Sequence, residues 1–387
     1  MRKIAVISTS RADYSIYRSL MRLLSDDKDI ELQIIAAGMH LVAEFGNTVD
    51  EIGRDGFVIT EKVRMLSGGD APIDIARDMG KGMAVFGEAF ERLRPDIVVV
   101  LGDRFEMFSA AVAAHAMALP LAHIHGGELT LGAMDECFRH AMTKLSHLHF
   151  VSTAEYGKRV CQMGEESWRV VVSGAPALDN LWNTEPITGA ELEEKIGMSV
   201  KDGPLMVTYH PTTHDARALD AQAEILFQAL KETGHPLVFT APNADEGGRR
   251  LTALMKVFVR ETDNARYIDN LGTRAYFGLM QSAAAMVGNS SSGIIEAASF
   301  ELPVVNIGSR QEGRIRAANV LDVEPTGPEL AKCLSKAISP DFREGLKGLK
   351  NPYVADDEQP ASAVIHKVLK DLEATPELMK KGFVDIT

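Results

Sequence analysis

The chain has 387 residues, 45% of them apolar and 25% charged, with a formal net charge of −13. That length exceeds one ordinary core and suits two domains of a water-soluble globular protein. The acidic balance argues against a nucleic-acid or anionic-membrane surface, where basic patches supply affinity, yet leaves room for a small anion held by a few arginines and helix N-termini.

In chain order, Lys3–Thr9 is a buried-strand signal and Ser10-Arg11-Ala12-Asp13-Tyr14 the turn into a helix ending near Leu24. Arg11 therefore stands at a helix N-terminus, where bare N–H groups and a guanidinium make an anion site; the alternative is an exposed arginine paired with Asp13. Strand 31–37 runs into the turn Gly38-Met39-His40. Residues 43–53 read as helix, 57–64 as strand, and a long amphipathic helix over about 73–93 follows the loop Ser67-Gly68-Gly69-Asp70. Short strands at 147–151 and 169–173 finish this half. Asn180–Gly203 is polar and reads as an interdomain connection, with a helix at 190–196. A second series follows: strand 204–210, helix 215–232, strand 236–241, helix 248–260, strand 266–268, helix 273–283, strand 285–288 and, as the last clear strand, 302–307. Helices near 328–337 and from Ala361 to Leu372 close the chain. The expected architecture is α/β: two Rossmann-like, doubly wound domains, 1–178 and 179–360, with the site in the cleft between them. Cys137, Cys161 and Cys333 are scattered without CxxC spacing, as in a reduced cytosol with neither zinc knuckle nor disulfide frame. Ile4–Ile7 is too short for a signal peptide and no apolar run reaches membrane-spanning length, so a cytoplasmic protein with no membrane partner is expected.

The most informative stretch is Asp96–His140. Ile97–Val100 breaks at Leu101-Gly102-Asp103, and Leu119–Ile124 ends at His125-Gly126-Gly127-Glu128. In a parallel sheet such breaks fall at carboxyl strand ends, where ligands bind, so Asp103 and Glu128 are expected to face one crevice, with Asp135 and Glu136 opening the next helix. Converging carboxylates suit proton transfer, a cation or hydroxyl groups; each taken singly also fits a helix cap or a surface charge.

In the second half, Asn289-Ser290-Ser291-Ser292-Gly293 offers hydroxyls and N–H groups, either a phosphate cradle or a serine-rich N-cap. Glu296, one helical turn past Ser292, suits a ribose diol or is an ordinary exposed glutamate. His210 ends a strand and can be structural. Arg310 and Arg314 can neutralise a diphosphate or be surface charges.

Taken together, SRADY, GMH at 38–40, FGNT at 45–48, LGDRFE at 101–106, HIHGGE at 123–128, DE..RH at 135–140, GNSSSGIIEA at 288–297 and GSRQEGR at 308–314 resemble the UDP-N-acetylglucosamine 2-epimerases. Within that family they are similar to the UDP-hydrolysing branch of sialic and legionaminic acid biosynthesis, since the other branch carries a V-E-A-G type sequence at His125–Glu128. The resemblance implies GT-B architecture, a C-terminal helix (about 361–387) crossing back onto the first domain, and a homo-oligomer, dimer or tetramer. It implies Asp103, Glu128 and Asp135 as acid/base carboxylates, Arg11 and His210 on the diphosphate, Ser291 and Ser292 on phosphate, and Glu296 on ribose. Ser290, Gly293, Arg310, Arg314 and His40 complete the expected ligand set. The implied substrate is UDP-N-acetylglucosamine, giving N-acetylmannosamine and UDP, or UDP-N,N′-diacetylbacillosamine by the same chemistry. Neither a metal nor another cofactor is called for. A GT-B glycosyltransferase and a non-catalytic nucleotide-sugar sensor are the readings from other classes.

Overall fold

Short aliphatic runs punctuated by Gly, Ser and Asn become the strands of two parallel sheets. The structure, a computed structural model, describes all residues except 43–47, 70, 131–133, 212–215, 243–246, 356–358, 374 and 386–387, and the side chain of Ala216. It divides into one unit of Met1–Asp179 with Tyr353–Thr387 and a second of Asn180–Pro352.

The first unit contains β1 (Arg2–Ser8), β2 (Ile30–Ala37), β3 (Ile59–Val63), β4 (Ile97–Leu101), β5 (Leu121–Ile124), β6 (Leu148–Val151) and β7 (Val170–Val172). They pair in parallel in the order β3-β2-β1-β4-β5-β6-β7. Every residue of β4, β5 and β6 is buried, as in strands covered on both faces, with His123 and His149 the polar exceptions in otherwise apolar runs. The helix Arg11–Asp26 opens with a capping box: Ser10 Oγ accepts from the Asp13 N–H, and the Asp13 carboxylate accepts from the N–H groups of Thr9 and Ser10. Its inner face buries Tyr14, Tyr17, Leu20, Met21 and Leu24. Strand order reverses between β1 and β4, so the crevice of this sheet opens between the turns Thr9-Ser10 and Gly102-Asp103.

The second unit contains β8 (Leu205–Thr208), β9 (Leu237–Thr240), β10 (Ala265–Ile268), β11 (Ala285–Gly288), β12 (Val304–Ile307) and β13 (Val320–Val323), in the parallel order β10-β9-β8-β11-β12-β13. Its reversal lies between β8 and β11, so Tyr209-His210 and Asn289-Ser290 flank the crevice there. Gly288 has φ +137, and a Cβ would collide with the Thr208 carbonyl; only glycine lets the two strand ends approach this closely.

Several expectations change. Residues 302–307 are not the last strand: β13 pairs with β12 beyond them. VLDV, with Asp322 exposed, lacks the fully apolar pattern because it is an edge strand. Asn180–Gly203 is not a free connection, since the helix Gly189–Ile196 sinks Leu192 and Ile196 into the second unit's core beside Ala275 and Leu279. The chain re-enters the first unit at Tyr353, earlier than the helix expected to return. Its carbonyl accepts from Ala175 N at 2.8 Å, and its hydroxyl lies 3.1 Å from that of Tyr156. The helix Ala361–Asp371 is then capped from a distance by Asp179, which accepts from Ala361 N at 2.8 Å and Ser362 N at 2.7 Å. Its Ile365 and Leu369 join the first unit's core. Of the helix expected over 43–53, Val49–Arg54 is observed; its beginning, the Phe45-Gly46-Asn47 portion of the FGNT motif and Asp70 lie outside the described residues.

Candidate active site

Beyond β4, Gly102 adopts φ +72 and the turn is pinned from β5, with Gly102 N donating to Ile124 O at 3.0 Å. Burial pushes the His123 imidazole down to about 3, so it is neutral and its Nε2–H can donate to the Gly102 carbonyl at 2.8 Å. Asp103 follows this turn, with its side chain 23% exposed. The buried guanidinium of Arg139, on the helix Met134–Leu145, donates to Asp103, to Glu136 at 3.2 Å and to Thr130 Oγ1 at 2.6 Å. Arg104 donates to the fully buried Glu106 at 3.1 and 3.2 Å. Asp135 stands among these groups. Burial and the Asp103 charge push its carboxyl up to about 6, against the pull of Arg104 and Arg139. Asp103 and Asp135 are thus brought together, and a raised carboxyl such as that of Asp135 suits a proton donor.

Glu128 is held between the ends of β5 and β6. Its Oε1 lies 2.5 Å from His125 Nδ1 and accepts from Ser152 Oγ at 2.6 Å; the residue is 6% exposed. The turn that delivers it is strained at His125, a non-glycine residue with φ +68. At Gly127, with φ +77, a Cβ would collide with the Tyr156 carbonyl.

At the end of β1, Arg11 is exposed and pairs with Glu51 at 3.8 Å, not with Asp13, whose carboxylate is consumed by the capping box. His40 is fully buried with Nε2 2.8 Å from Ser8 Oγ and Nδ1 2.8 Å from Thr48 Oγ1, so both ring nitrogens are engaged by the protein. It braces the β1 and β2 ends and presents no open nitrogen to a ligand.

In the second unit, Asn289 is the organiser. Its side chain accepts from His210 N at 2.7 Å and donates to His210 O at 2.9 Å, while its own carbonyl accepts from Arg310 at 3.1 Å and Gln311 at 2.9 Å. It therefore joins the ends of β8 and β11 to the loop carrying Arg310 and the half-buried Arg314. Burial, then the Arg310 charge, pushes His210 down to about 4. Ser290 caps the short helix Ser291–Ile295, and Gly293 lets it pack against Val304. Ser292 Oγ donates to Glu296, whose carboxyl burial pushes up to about 7. Tyr276 also reaches Ser290 and Ser292. Among the described residues no group of three or more His, Cys, Asp or Glu could hold a metal ion, and no helix is long and apolar enough to cross a membrane.

The geometry invites comparison with known proteins. A profile of the UDP-N-acetylglucosamine 2-epimerases matches residues 22–370. Over 387 residues the chain is 39% identical to the GDP/UDP-N,N′-diacetylbacillosamine 2-epimerase (hydrolyzing) of Campylobacter jejuni, covering 100% of this chain and 99% of that protein. The chain belongs to the UDP-N-acetylglucosamine 2-epimerase family. Within it, similarity runs to the hydrolysing branch: the UDP-N,N′-diacetylbacillosamine 2-epimerase (hydrolyzing) of Legionella pneumophila is 37% identical over 339 residues, 88% of this chain and 89% of that protein. The crystal structure of UDP-GlcNAc 2-epimerase from Neisseria meningitidis bound to UDP-GlcNAc superposes with TM-score 0.81, covering 96% of this chain and 100% of that one at 16% identity. The two parallel α/β units are those of this GT-B-like class. Family membership sets aside the glycosyltransferase reading, which the fold alone leaves open.

Four residues of the candidate site, Arg104, Glu106, Arg139 and His125, lie within the motifs quoted from the sequence but were given no role there. For one of them the spacing offered a role. Asp135 and Arg139 are four apart, hence on one helix face, where an arginine can serve the carboxylates around it.

Proposed function

We propose that this epimerase cleaves a UDP-linked 2-acetamido sugar with inversion at C2, releasing UDP and the free epimerised sugar. Inversion requires the C2 proton to leave and return on the other face. That proton is hardly acidic, so its loss is coupled to departure of UDP: the C2–H pair becomes the C1=C2 bond and the C1–O pair leaves on the diphosphate, giving a glycal. A proton then adds at C2 and water at C1, the water losing a proton; the balance is UDP-sugar plus water to free sugar plus UDP. The reading gives the proton transfers to Asp103, Asp135 and Glu128 with its neighbours. It gives the leaving diphosphate to Arg11, His210, Arg310, Arg314 and the Ser290–Gly293 turn, and the ribose to Glu296.

The observation that carries this reading is the full-length similarity to a hydrolysing enzyme. Asp135, pushed up to about 6 beside Asp103, supports it, because a carboxyl titrating near neutrality suits general acid work. The names of the Campylobacter and Legionella relatives favour UDP-N,N′-diacetylbacillosamine as substrate, which the motif resemblance links to legionaminic acid biosynthesis; UDP-N-acetylglucosamine, giving N-acetylmannosamine for a sialic acid route, is the second candidate. Incubation with each UDP-sugar, followed by NMR of the products, tests the proposal. UDP and a 2-epimerised free sugar are expected from one of them without any acceptor. Absence of UDP release from both would leave a non-catalytic sensor as the better account.

A further inference from the structure

His125 carries three features that structural needs alone do not explain. It is a non-glycine residue at φ +68, a conformation that disfavours any side chain with a Cβ and clusters at functional sites. Its Nδ1 lies 2.5 Å from Glu128 Oε1, which is itself fixed by the Ser152 hydroxyl at 2.6 Å. Its Nε2 is buried, in a residue 9% exposed, and has no hydrogen-bond partner among the described residues. A buried nitrogen without a partner is unfavourable.

The three features fit together chemically. Against an ionised Glu128, which can only accept, a neutral imidazole places its proton on Nδ1 and leaves the lone pair on Nε2. A carboxylate behind Nδ1 fixes the tautomer, orients the ring and stabilises the imidazolium that forms when Nε2 takes a proton. Glu128, buried behind the ring, is placed to act through His125.

We propose that His125 Nε2 is the base that removes the C2 proton of the sugar, and that Glu128 is its positioning residue. In the step, the C2–H bond breaks and the proton passes to Nε2; the electron pair forms C1=C2 as the C1–O bond breaks and its pair leaves on UDP. The imidazolium later returns its proton to solvent, which balances the proton that Asp135 or water delivers at C2. The inference rests on the reading of the chain as a hydrolysing 2-epimerase and names a proton acceptor that reading leaves open.

The test uses the full chain with two substitutions that tolerate positive φ, His125→Asn and His125→Gly. Turnover of the UDP-sugar that the wild type consumes is measured together with UDP affinity by calorimetry. Loss of a positioned base lowers kcat about 10²–10⁴-fold while leaving UDP affinity within a fewfold. Added imidazole, which fits the space vacated in His125→Gly, restores part of that variant's turnover; a packing role would not respond. Glu128→Gln lowers kcat with little change in KM. Wild-type turnover accompanied by near-normal turnover in His125→Asn overturns this inference alone. So does a folded, UDP-binding His125→Gly enzyme that is inactive with and without imidazole. Absence of UDP release by the wild type overturns the functional reading, and this inference with it.

Discussion

Arg139 binds the Asp103 carboxylate, and one turn earlier on its own helix stands Asp135, whose carboxyl is pushed up to about 6. A single buried guanidinium thus pairs with Asp103, while burial and the Asp103 charge raise the neighbouring Asp135 carboxyl. Removing the guanidinium takes its cation from Asp103, while Glu136 keeps the Thr130 N–H and His140. Arg139→Leu is expected to lower stability by about 3–5 kcal/mol, the range for breaking a buried ion pair from one side. Urea denaturation measures it; a loss under about 1 kcal/mol would mean that solvent already screens the pair.

Asp135 makes a prediction that is opposite in sign. Its folded value of about 6 lies above the ordinary 3.8, so the folded state holds this proton more tightly than the unfolded chain does. The contribution to stability is full below pH 3.8 and is lost as the pH rises through about 6. Asp135→Asn, which cannot ionise, should therefore match the wild type near pH 4 and exceed it above pH 7. After allowance for screening the gain is about 1–2 kcal/mol. Turnover of the same variant should fall about 10²–10⁴-fold, the trade expected of a functional carboxyl. Thermal melts at both pH values decide it, and equal differences at the two would remove the strained carboxyl from the account.

Glu296 sets the nucleotide prediction. Ribose hydroxyls donate more strongly to an ionised carboxyl, whose two oxygens both accept, than to a protonated one, and burial pushes this group up to about 7. UDP affinity should therefore rise between pH 6 and 8. Glu296→Gln should weaken UDP binding about ten- to a hundredfold at pH 8, as for hydrogen bonds to a charged group. Any pH dependence surviving in that variant belongs to the terminal phosphate of UDP and to other groups. Calorimetry of both proteins across the range is the check; identical curves would place the ribose elsewhere.

The C-terminal segment supplies a fourth. Lys381 donates to the carbonyls of Thr143, Lys144 and Ser146 at 3.1, 2.7 and 2.7 Å, ending the helix that carries Asp135 and Arg139, and pairs with buried Glu165 at 2.7 Å. Lys381→Met leaves those carbonyls without this donor and Glu165 with one cation fewer. A loss of about 2–4 kcal/mol in urea denaturation is expected, and an unchanged midpoint would make the segment an ornament of the fold.

What could be read from the sequence follows from how local each signal is. The breaks at Gly102-Asp103 and Asn289-Ser290 were legible because buried parallel strands are continuous apolar runs and their ends are abrupt. Their location at the two reversals of strand order was implied by the doubly wound pattern. β13 was hidden because an edge strand such as VLDV needs only partial apolarity. Leu192 and Ile196 were hidden in a polar stretch because one narrow face suffices to dock a short helix. Within the site, the carboxylates announced themselves by position, whereas their counter-charges did not. Arg139 reaches Asp103 across 36 residues of sequence, and nothing local marks that pairing. His40 stood out by its place in a strand-end turn, yet Ser8 and Thr48 consume both its nitrogens.

The most direct test of the central claim is turnover in D₂O. A glycal route loses the C2 proton and takes its replacement from solvent, so the released sugar should carry deuterium at C2, be inverted there, and appear in equal amount with UDP. Exchange at C2 with the sugar still attached to UDP would instead mark a non-hydrolysing epimerase. Release of an uninverted sugar that retains protium at C2 would reduce the reaction to cleavage of the C1 bond and contradict the account.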